Sequence, residues 1–300
     1  RAVQFAARFD YILADETFVL CKKMVEEGML EELARERVYG EWKKLLLKSE
    51  KPSQGFELMR ELGILEKYFP ELYALIAVPQ SPLWHPEGDV WIHTMMCVDV
   101  MTKLCRSGCP HPDNKQTLKF LFAMLCHDLG KALSTTVDED GIIRAIGHES
   151  SGLEPTKSLM YRLMDEHDFI GTLLPLVEHH LKPSQFYAAQ SKASAIRRLA
   201  TKVNIEELVV VAKADFLGRT TAEALTGVYD AGEWLLEKSK ELNVSSKPLE
   251  PLLQGRDLIA LGFEPSAKFK EILDSVYSLQ LDGTIRTKDE ALAFTKKTYI

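Results

Sequence analysis

The chain has 300 residues, of which 46% are hydrophobic and 27% are charged, and its formal net charge is −7. This composition is typical of a soluble folded protein and excludes an intrinsically disordered chain. The negative balance provides no overall positive field for nucleic acid, and no apolar run approaches the roughly 18 residues of a membrane span.

The first part of the chain is predicted to be helical. Apolar residues recur at helical spacing over residues 3–11, 17–27, 30–47, 54–62 and 65–69. Residues 79–89 contain three prolines and a glycine, a composition that forbids a helix. This loop therefore separates a first helical unit from the rest of the chain.

Helices also dominate the prediction beyond the loop, at residues 90–106, 115–131, 150–165, 172–181, 192–203, 205–219 and 222–242. The one β signal is residues 133–146, where two β-branched runs flank a turn at 138–141. A linker at 244–251 precedes helices at 256–261, 266–281 and 288–299. We therefore predict an all-α fold, a multi-helix array around a central helical core with one small β-hairpin. Its predicted domains are a neck (1–78), a body (79–243) and a tail (244–300).

Residues of metal-ligating type recur on or beside the apolar helices of the body. The pair His127-Asp128 follows an apolar run at 120–126 that must be buried. A buried carboxylate is costly unless it is paired or binds a metal, so the burial favours a ligand role. We predict that seven residues converge on one site: His93, His127, Asp128, His148, His179, His180 and Asp215.

Each of these residues also has a structural explanation. His127 could be a satisfied core histidine with Asp128 as a cap, and Asp215 could form a salt bridge with Lys213 or Arg219. A second pair, His167-Asp168, lies in a polar stretch and is interpreted as a solvated loop. Three further residues supply too few ligands to predict a zinc knuckle: Cys105, Cys109 and His111.

The predicted ligand set suits two divalent cations. Asp128 would bridge ions roughly 3.5–4 Å apart, with His93 on the first ion and three imidazoles on the second. Imidazole-rich shells suit Mn, Fe, Co, Ni or Zn, and carboxylate shells suit Mg. This mixed set leaves the metal open, with Ni²⁺, Mn²⁺ and Mg²⁺ among the candidates.

Two cations that share a carboxylate can hold a phosphate oxygen and lower the pKa of a bridging water for in-line attack. We therefore expect Asp128 and Lys131 to be catalytic, with Lys131 reaching the phosphate as a point charge. The alternative is that Lys131 is a solvated lysine near a helix end.

Several motifs resemble those of the bacterial CCA-adding tRNA nucleotidyltransferases and poly(A) polymerases. Residues 1–17 and 36–52 are similar to the neck of that family, and 255–265 with 280–285 to its tail. The stretch 125–131 resembles the signature of the HD-domain metal-dependent phosphohydrolases. A departure is Pro265-Ser266, where the tail of the family usually has Pro-Gly.

The resemblance implies a metal-dependent phosphatase, 2′-nucleotidase and 2′,3′-cyclic phosphodiesterase body that acts in tRNA 3′-end maturation and repair. Its substrates would be nucleotides or cyclic phosphate esters, and its partner tRNA. The nucleotidyltransferase head of the family needs a Gly-Ser loop ahead of an Asp-x-Asp pair. Here Asp138 and Asp140 lie in the hairpin turn without that loop, so we expect this chain alone not to add CCA.

Basic residues on the neck helices offer contacts to RNA phosphates: Arg8, Lys22, Lys23, Arg35, Arg37, Lys43 and Lys44. The alternative is solvated helix faces with ion pairs such as Glu31–Arg35. A different function would be a non-catalytic tRNA-binding arm with a vestigial metal site. An HD-type nucleotide triphosphohydrolase is a third option, which the neck and tail motifs disfavour.

An odd number of cysteines, five, and no signal segment indicate reduced thiols in a cytoplasmic protein without a membrane anchor. The sequence leaves the oligomeric state open, a homodimer included.

Overall fold

A computed structural model of the chain describes residues 1–108 and 113–300. Cys109 and His111, two of the three residues of the weak zinc-knuckle motif, lie outside the described residues. The described residues form helices and one two-stranded antiparallel sheet. The predicted all-α class with one small β-hairpin is therefore confirmed.

The first helices are α1 (Ala2–Phe9), α2 (Asp15–Glu26), α3 (Arg35–Lys48), α4 (Pro52–Glu61), α5 (Ile64–Tyr68) and α6 (Pro70–Tyr73). Helix α4 begins at Pro52, where the missing N–H costs nothing because the first N–H groups of a helix have no intrahelical partner. Trp42 on α3 is 4% exposed and packs its ring against Phe56 and Phe69. This aromatic cluster forms the core between α3 and α4.

The elements that follow are α7 (Val90–Arg106), α8 (Asn114–Cys126), α9 (Lys131–Ser134), β1 (Thr135–Val137), β2 (Ile143–Ala145), α10 (His148–Ser151), α11 (Leu153–Leu163), α12 (His167–His179), α13 (Lys182–Ala188), α14 (Ala193–Ala200), α15 (Ile205–Leu217), α16 (Ala222–Leu225) and α17 (Asp230–Glu241). The hairpin pairs Thr135 with Ala145 and Val137 with Ile143. Helices α18 (Gly255–Ala260), α19 (Lys268–Asp282) and α20 (Lys288–Tyr299) complete the chain.

Helix α8 is the centre of the first core. Each of its residues from Phe120 to Cys126 is fully buried, and the helix packs against α7, α12 and α3. Burial of one large apolar side chain contributes roughly 1.5–3 kcal/mol, so this run fixes α8 firmly. The residues that follow directly, His127 and Asp128, are fixed with it.

Several helix bounds differ from the prediction for local reasons. Helix α3 begins at Arg35 rather than at residue 30, after a turn in which Gly28 has a φ of 76°. The predicted helix 222–242 is broken between α16 and α17, where Gly227 has a φ of 75°. The pair His167-Asp168 is exposed as predicted, but it begins α12 instead of lying in a loop.

The predicted helix 115–131 ends early because the chain makes a close approach at Gly130. A Cβ atom at Gly130 would lie 1.9 Å from the carbonyl oxygen of His148. The chain turns after Cys126, restarts as α9, and brings this turn against α10.

The described residues form two compact units, 1–183 with 208–232 and 184–207 with 233–300. The core of the second unit includes Leu258, Ile272 and Val276. The predicted domain boundaries at 78/79 and 243/244 stay predictions.

Within residues 1–108 and 113–300, each helix is too short or too polar to cross a membrane. The cytoplasmic location expected from the cysteines stays a prediction.

Candidate metal centre

The candidate ligands are buried, and separate elements of the first unit position them. Asp89 caps α7 by accepting from the Ile92 N–H at 2.9 Å, which places His93 in the first turn, 0% exposed. His127 and Asp128 follow α8, and His148 begins α10. The remaining members are His180, directly after α12, and Asp215, near the end of α15.

A first group of ligand atoms gathers around His93. Its Nε2 lies 3.0 Å from Oδ1 of Asp215 and 3.9 Å from Oδ2 of Asp128. The Nε2 atom of His127 lies 3.2 Å from the same Oδ2. Ligand atoms of His93, His127, Asp215 and Cys97 all lie within 4.8 Å of one another.

A second group lies on the other side of the Asp128 carboxylate. Its Oδ1 lies 3.3 Å from Nε2 of His148 and 3.9 Å from Nε2 of His180. These two imidazole nitrogens are 3.4 Å apart. Asp128 therefore faces the first group with Oδ2 and the second with Oδ1, the placement that a bridging carboxylate requires.

The structure does not bring His179 into either group. Its Nε2 lies 3.8 Å from the carboxylate of Glu178, although the residue is only 5% exposed. Successive residues near a helix end point about 100° apart, so His179 and His180 cannot both face Asp128. A ligand role for His179 stays a prediction.

Main-chain carbonyls orient three of the imidazoles in the same way. Nδ1 lies 2.7 Å from the Met124 carbonyl in His127, and 2.7 Å from the Ala145 carbonyl in His148. In His180 the distance from Nδ1 to the Val177 carbonyl is also 2.7 Å. A carbonyl accepts only from a protonated Nδ1, so Nε2 of each neutral ring carries a free lone pair. Metal-ligating histidines are held in this manner.

The donor set fits a divalent cation. Nε2 of His127 and both carboxylate oxygens of Asp128 are buried and have no hydrogen bond of good geometry. Lone pairs of imidazole and carboxylate face each other at 3.2–3.3 Å, which is repulsive unless a cation or added protons lie between them. Residues that would hold a metal are thus present and unsatisfied.

Both carboxylates are ionised. Burial would raise the pKa of Asp128, but the neighbouring His127 and Lys131 side chains outweigh burial and hold it well below its ordinary value. Burial would likewise raise the pKa of Asp215, and Arg219 with His93 holds it well below the ordinary value. Two buried negative charges side by side strengthen the case for cation binding.

The imidazole of His180 stays neutral. Burial, followed by the neighbouring His127 side chain, lowers the pKa of His180 to about 3. Only a neutral imidazole can donate its lone pair to a metal, so this ring is ready to coordinate at physiological pH.

Two residues of the loop 79–89 support the site, and the sequence did not point to them. Oε1 of Glu87 lies 2.8 Å from Nδ1 of His93 and 2.9 Å from Nδ1 of His85, and its Oε2 accepts from the Thr220 N–H at 3.1 Å. A carboxylate behind a ligating imidazole fixes the ring and raises its basicity. The sequence signal that could have identified them is the pair of polar residues His85 and Glu87, which flank Pro86 shortly before His93.

The salt bridge considered as the alternative for Asp215 is present. Nη2 of Arg219 lies 3.1 and 3.2 Å from the two Asp215 oxygens. The same carboxylate also faces His93, so the ion pair and the ligand cluster coexist.

A cavity of about 220 Å³ opens onto the second group. Asp128, His148 and His180 line it together with Lys131 and Arg219. Nζ of Lys131 lies 2.7 Å from Oδ2 of Asp128 and donates to Gln80 Oε1 at 2.6 Å. Lys131 is 8% exposed and therefore faces this cavity from a buried position.

One residue predicted to contact RNA is tied to the body of the first unit. Arg35 forms an ion pair with Asp165 and donates to the Tyr161 carbonyl at 3.2 Å. The Glu31–Arg35 ion pair of the alternative interpretation is not formed, because α3 begins at Arg35 and leaves Glu31 outside the helix. Glu31 instead lies 3.8 Å from Lys67.

The other predicted RNA contacts lie on α1, α2 and α3. Lys44 pairs with Glu41 at 2.8 Å and Lys23 with Glu27 at 3.6 Å, whereas Nζ of Lys43 lies over the Tyr39 ring. Arg8 donates to Gln4, and the exposed members of the set are Lys22, Lys23 and Arg37. RNA contact by these residues stays a prediction.

Comparison with known proteins places these elements in a family. Residues 10–75 match the family described as the probable RNA and SrmB-binding site of polymerase A, and residues 90–219 match the HD domain. The chain is 34% identical over 234 residues to a multifunctional CCA protein of Mannheimia succiniciproducens, over 74% of this chain and 53% of the relative. Over this 74% of its length, the chain is homologous to the multifunctional CCA proteins.

A second multifunctional CCA protein, of Methylobacillus flagellatus, is 35% identical over 231 residues, which are 74% of this chain and 52% of the relative. The chain thus spans about half the length of the curated relatives that it matches.

Solved CCA-adding enzymes share the fold. A structure with CTP superimposes with a TM-score of 0.53 at 19% identity, covering 99% of this chain and 58% of the other. An apo form gives a TM-score of 0.51 at 19% identity, over 99% of this chain and 57% of the other.

Proposed function

We propose that the HD domain of this multifunctional CCA protein relative is a metal-dependent phosphohydrolase. Its activities would be those of a 2′,3′-cyclic phosphodiesterase, a 2′-nucleotidase and a phosphatase, in tRNA 3′-end maturation and repair. The observation that carries the proposal is Asp128, whose two oxygens lack a hydrogen bond of good geometry and face two groups of imidazoles with free Nε2 lone pairs.

Six residues would hold the metal ions, and a seventh would contact the phosphate. One ion would be held by His93, His127 and Asp215, a second by His148 and His180, and Asp128 would serve both. Bound divalent ions supply Lewis acidity and an activated water. Lys131 brings a positive charge to the cavity, where it neutralises a phosphate oxygen and holds the ester in place.

The size of the cavity supports a small phosphate ester as substrate. Its volume of about 220 Å³ lies below the roughly 300–1,000 Å³ of sites that enclose a whole drug-sized ligand. The phosphate and part of the ribose would enter, and the base would stay outside. A site of this kind accepts nucleotides with different bases.

The RNA partner of this proposal is tRNA, contacted by the neck helices. The match of residues 10–75 to a probable RNA-binding family supports it. We expect no CCA addition by residues 1–300 alone. Asp138, the first residue of the Asp-x-Asp pair, lies in an exposed turn, where its side chain accepts from the Ile142 N–H at 2.8 Å.

The decisive experiment compares two His-Asp pairs of the same chain. Asp128→Asn should abolish metal-dependent hydrolysis of 2′,3′-cyclic AMP, because it removes the charge shared by both groups. Asp168→Asn, in the exposed pair that begins α12, should keep full activity. If Asp128→Asn kept the wild-type rate, or if purified protein bound no metal yet bound tRNA, the non-catalytic arm would be the better description.

A further inference from the structure

A basic groove lies in the first unit, away from the metal centre. It has a volume of about 510 Å³ and is lined by one stretch of α3, the first turn of α8 and two residues at the start of α12. It shares no lining residue with the metal cavity. The stretch of α3 belongs to the match at 10–75 and the turn of α8 to the HD match.

The groove carries a local positive charge, although the net charge of the protein is negative. Among its lysines, Lys44 is paired with Glu41 at 2.8 Å. Lys43, Lys48 and Lys115 form no ion pair with any residue of the described ranges 1–108 and 113–300. Glu166 is the one acidic residue of the lining. In a chain of net charge −7, this excess of uncompensated cations attracts an anion.

The start of α8 also borders the groove, and the side chain of its N-cap, Asp113, accepts there from the Gln116 N–H at 2.7 Å. Asn114 and Lys115 are its first two residues, and α8 is 13 residues long. The first N–H groups of a helix have no intrahelical partner, and the helix dipole is positive at this end. The Asp113 carboxylate already satisfies one of these N–H groups and offsets the dipole, so the lysines carry the positive charge of the groove.

The lysines are spread along the groove rather than gathered at one point. Lys43 and Lys48 are five residues apart on α3, about 7.5 Å along the helix axis. Nζ of Lys43 lies 4.5 Å from the centre of the Tyr39 ring, and this cation–π contact holds the amine at the groove. A row of separated charges fits successive phosphates of a strand better than a single small anion.

We propose that this groove binds the phosphate backbone of an RNA strand, with Lys43, Lys48 and Lys115 as its contacts. The inference rests on the proposed RNA-binding function and deepens it. It adds two residues to the RNA contacts predicted from the sequence: Lys48 of α3 and Lys115 of the HD domain.

The test is the salt dependence of tRNA binding, measured by fluorescence anisotropy between about 50 and 200 mM salt. The variant K48Q/K115Q removes two exposed charges without touching the core. It should bind tRNA more weakly, and the slope of log K against log salt should fall by about 2, one for each lost contact. Lys103→Gln, an exposed lysine of α7 outside the groove, should bind as the wild type does.

Two readouts separate this proposal from the one on which it rests. Thermal unfolding and hydrolysis of 2′,3′-cyclic AMP should be the same in K48Q/K115Q and in the wild type, because the metal centre is intact. A wild type that does not bind tRNA contradicts the RNA-binding function and the groove together. A wild type that binds, with an unchanged affinity and slope in K48Q/K115Q, overturns the groove alone.

Discussion

Asp128 and His148 approach each other within 3.3 Å through two atoms that both accept, Oδ1 of the carboxylate and Nε2 of the imidazole. The imidazole has its Nδ1 directed at the Ala145 carbonyl, at 2.7 Å, so it cannot also offer a proton from Nε2 while neutral. Burial would lower the pKa of His148, but Asp128 outweighs burial and raises it, so either a cation or a second proton on the ring relieves this contact. Metal content, stability and activity should depend on this contact.

Metal binding should stabilise the first unit measurably. A ligand at 100 times its dissociation constant stabilises the folded state by about 2.7 kcal/mol. Protein stripped with a chelator should unfold at a lower temperature and recover when Mn²⁺ or Ni²⁺ is returned. Calorimetry with elemental analysis measures both effects.

The two ligand groups allow a control for this prediction. The variant H148A/H180A should lose one of two metal equivalents and keep the other at His93 and Asp215. Two retained equivalents in that variant would show that the second group holds no ion.

Lys131→Ala should lower kcat by about 100-fold, because one preorganised charge at a developing anion is worth that much. Its metal content should not fall, since the ligand atoms are unchanged. Lys157→Ala provides the matched control: Lys157 pairs with Glu154 at 2.6 Å, also three residues apart, away from the cavity. An equal loss of rate in both variants would remove Lys131 from the site.

Glu87→Gln should weaken metal binding about 10–100-fold, the usual effect of losing the carboxylate behind a ligating histidine. The pKa of Glu87 shows the strength of its contacts: burial would raise it, yet the hydrogen bonds of His85 and His93 hold it well below the ordinary value. Glu139→Gln, in the exposed hairpin turn, serves as the control. Metal titration monitored by calorimetry gives the two affinities, and equal values would contradict the role of Glu87.

Gly130→Ala should destabilise the protein and lower its metal content. The added methyl would meet the His148 carbonyl at 1.9 Å and the Gly152 nitrogen at 2.6 Å, both main-chain atoms that cannot move freely. We expect a loss of at least about 2 kcal/mol in the free energy of unfolding, as for other overpacked sites.

Gly171→Ala is the opposite case within α12. A Cβ there meets nothing within 4 Å, so alanine should stabilise the helix by roughly 0.5–1 kcal/mol. Denaturant unfolding compares the two variants. If Gly130→Ala and Gly171→Ala were equally stable, the turn at Gly130 would be able to open without disturbing the site.

Much of the ligand set could be predicted because local sequence controls it. His127 and Asp128 follow a run whose apolar character forces burial, and His93 lies in the first apolar turn of a helix. Which of His179 and His180 faces the site depends on the direction of each side chain around the axis of α12 at its end. The spacing of apolar residues does not define that direction to within one residue.

The supporting residues could not be predicted, because long-range contacts define them. Glu87 contacts Thr220, 133 residues later in the sequence, and no spacing rule connects the two. The early end of α8 has a similar origin, since it depends on how closely Gly130 approaches α10. Such approaches become visible only when the chain is folded.

The distance along the chain between Glu87 and Asp215 also affects biosynthesis. A nascent chain that has emerged only as far as α12 lacks Asp215, Arg219 and the Thr220 amide that holds the Glu87 carboxylate. The first ligand group therefore cannot be completed until α15 has been synthesised, and a truncated translation product would leave its first imidazoles without their final carboxylate partner.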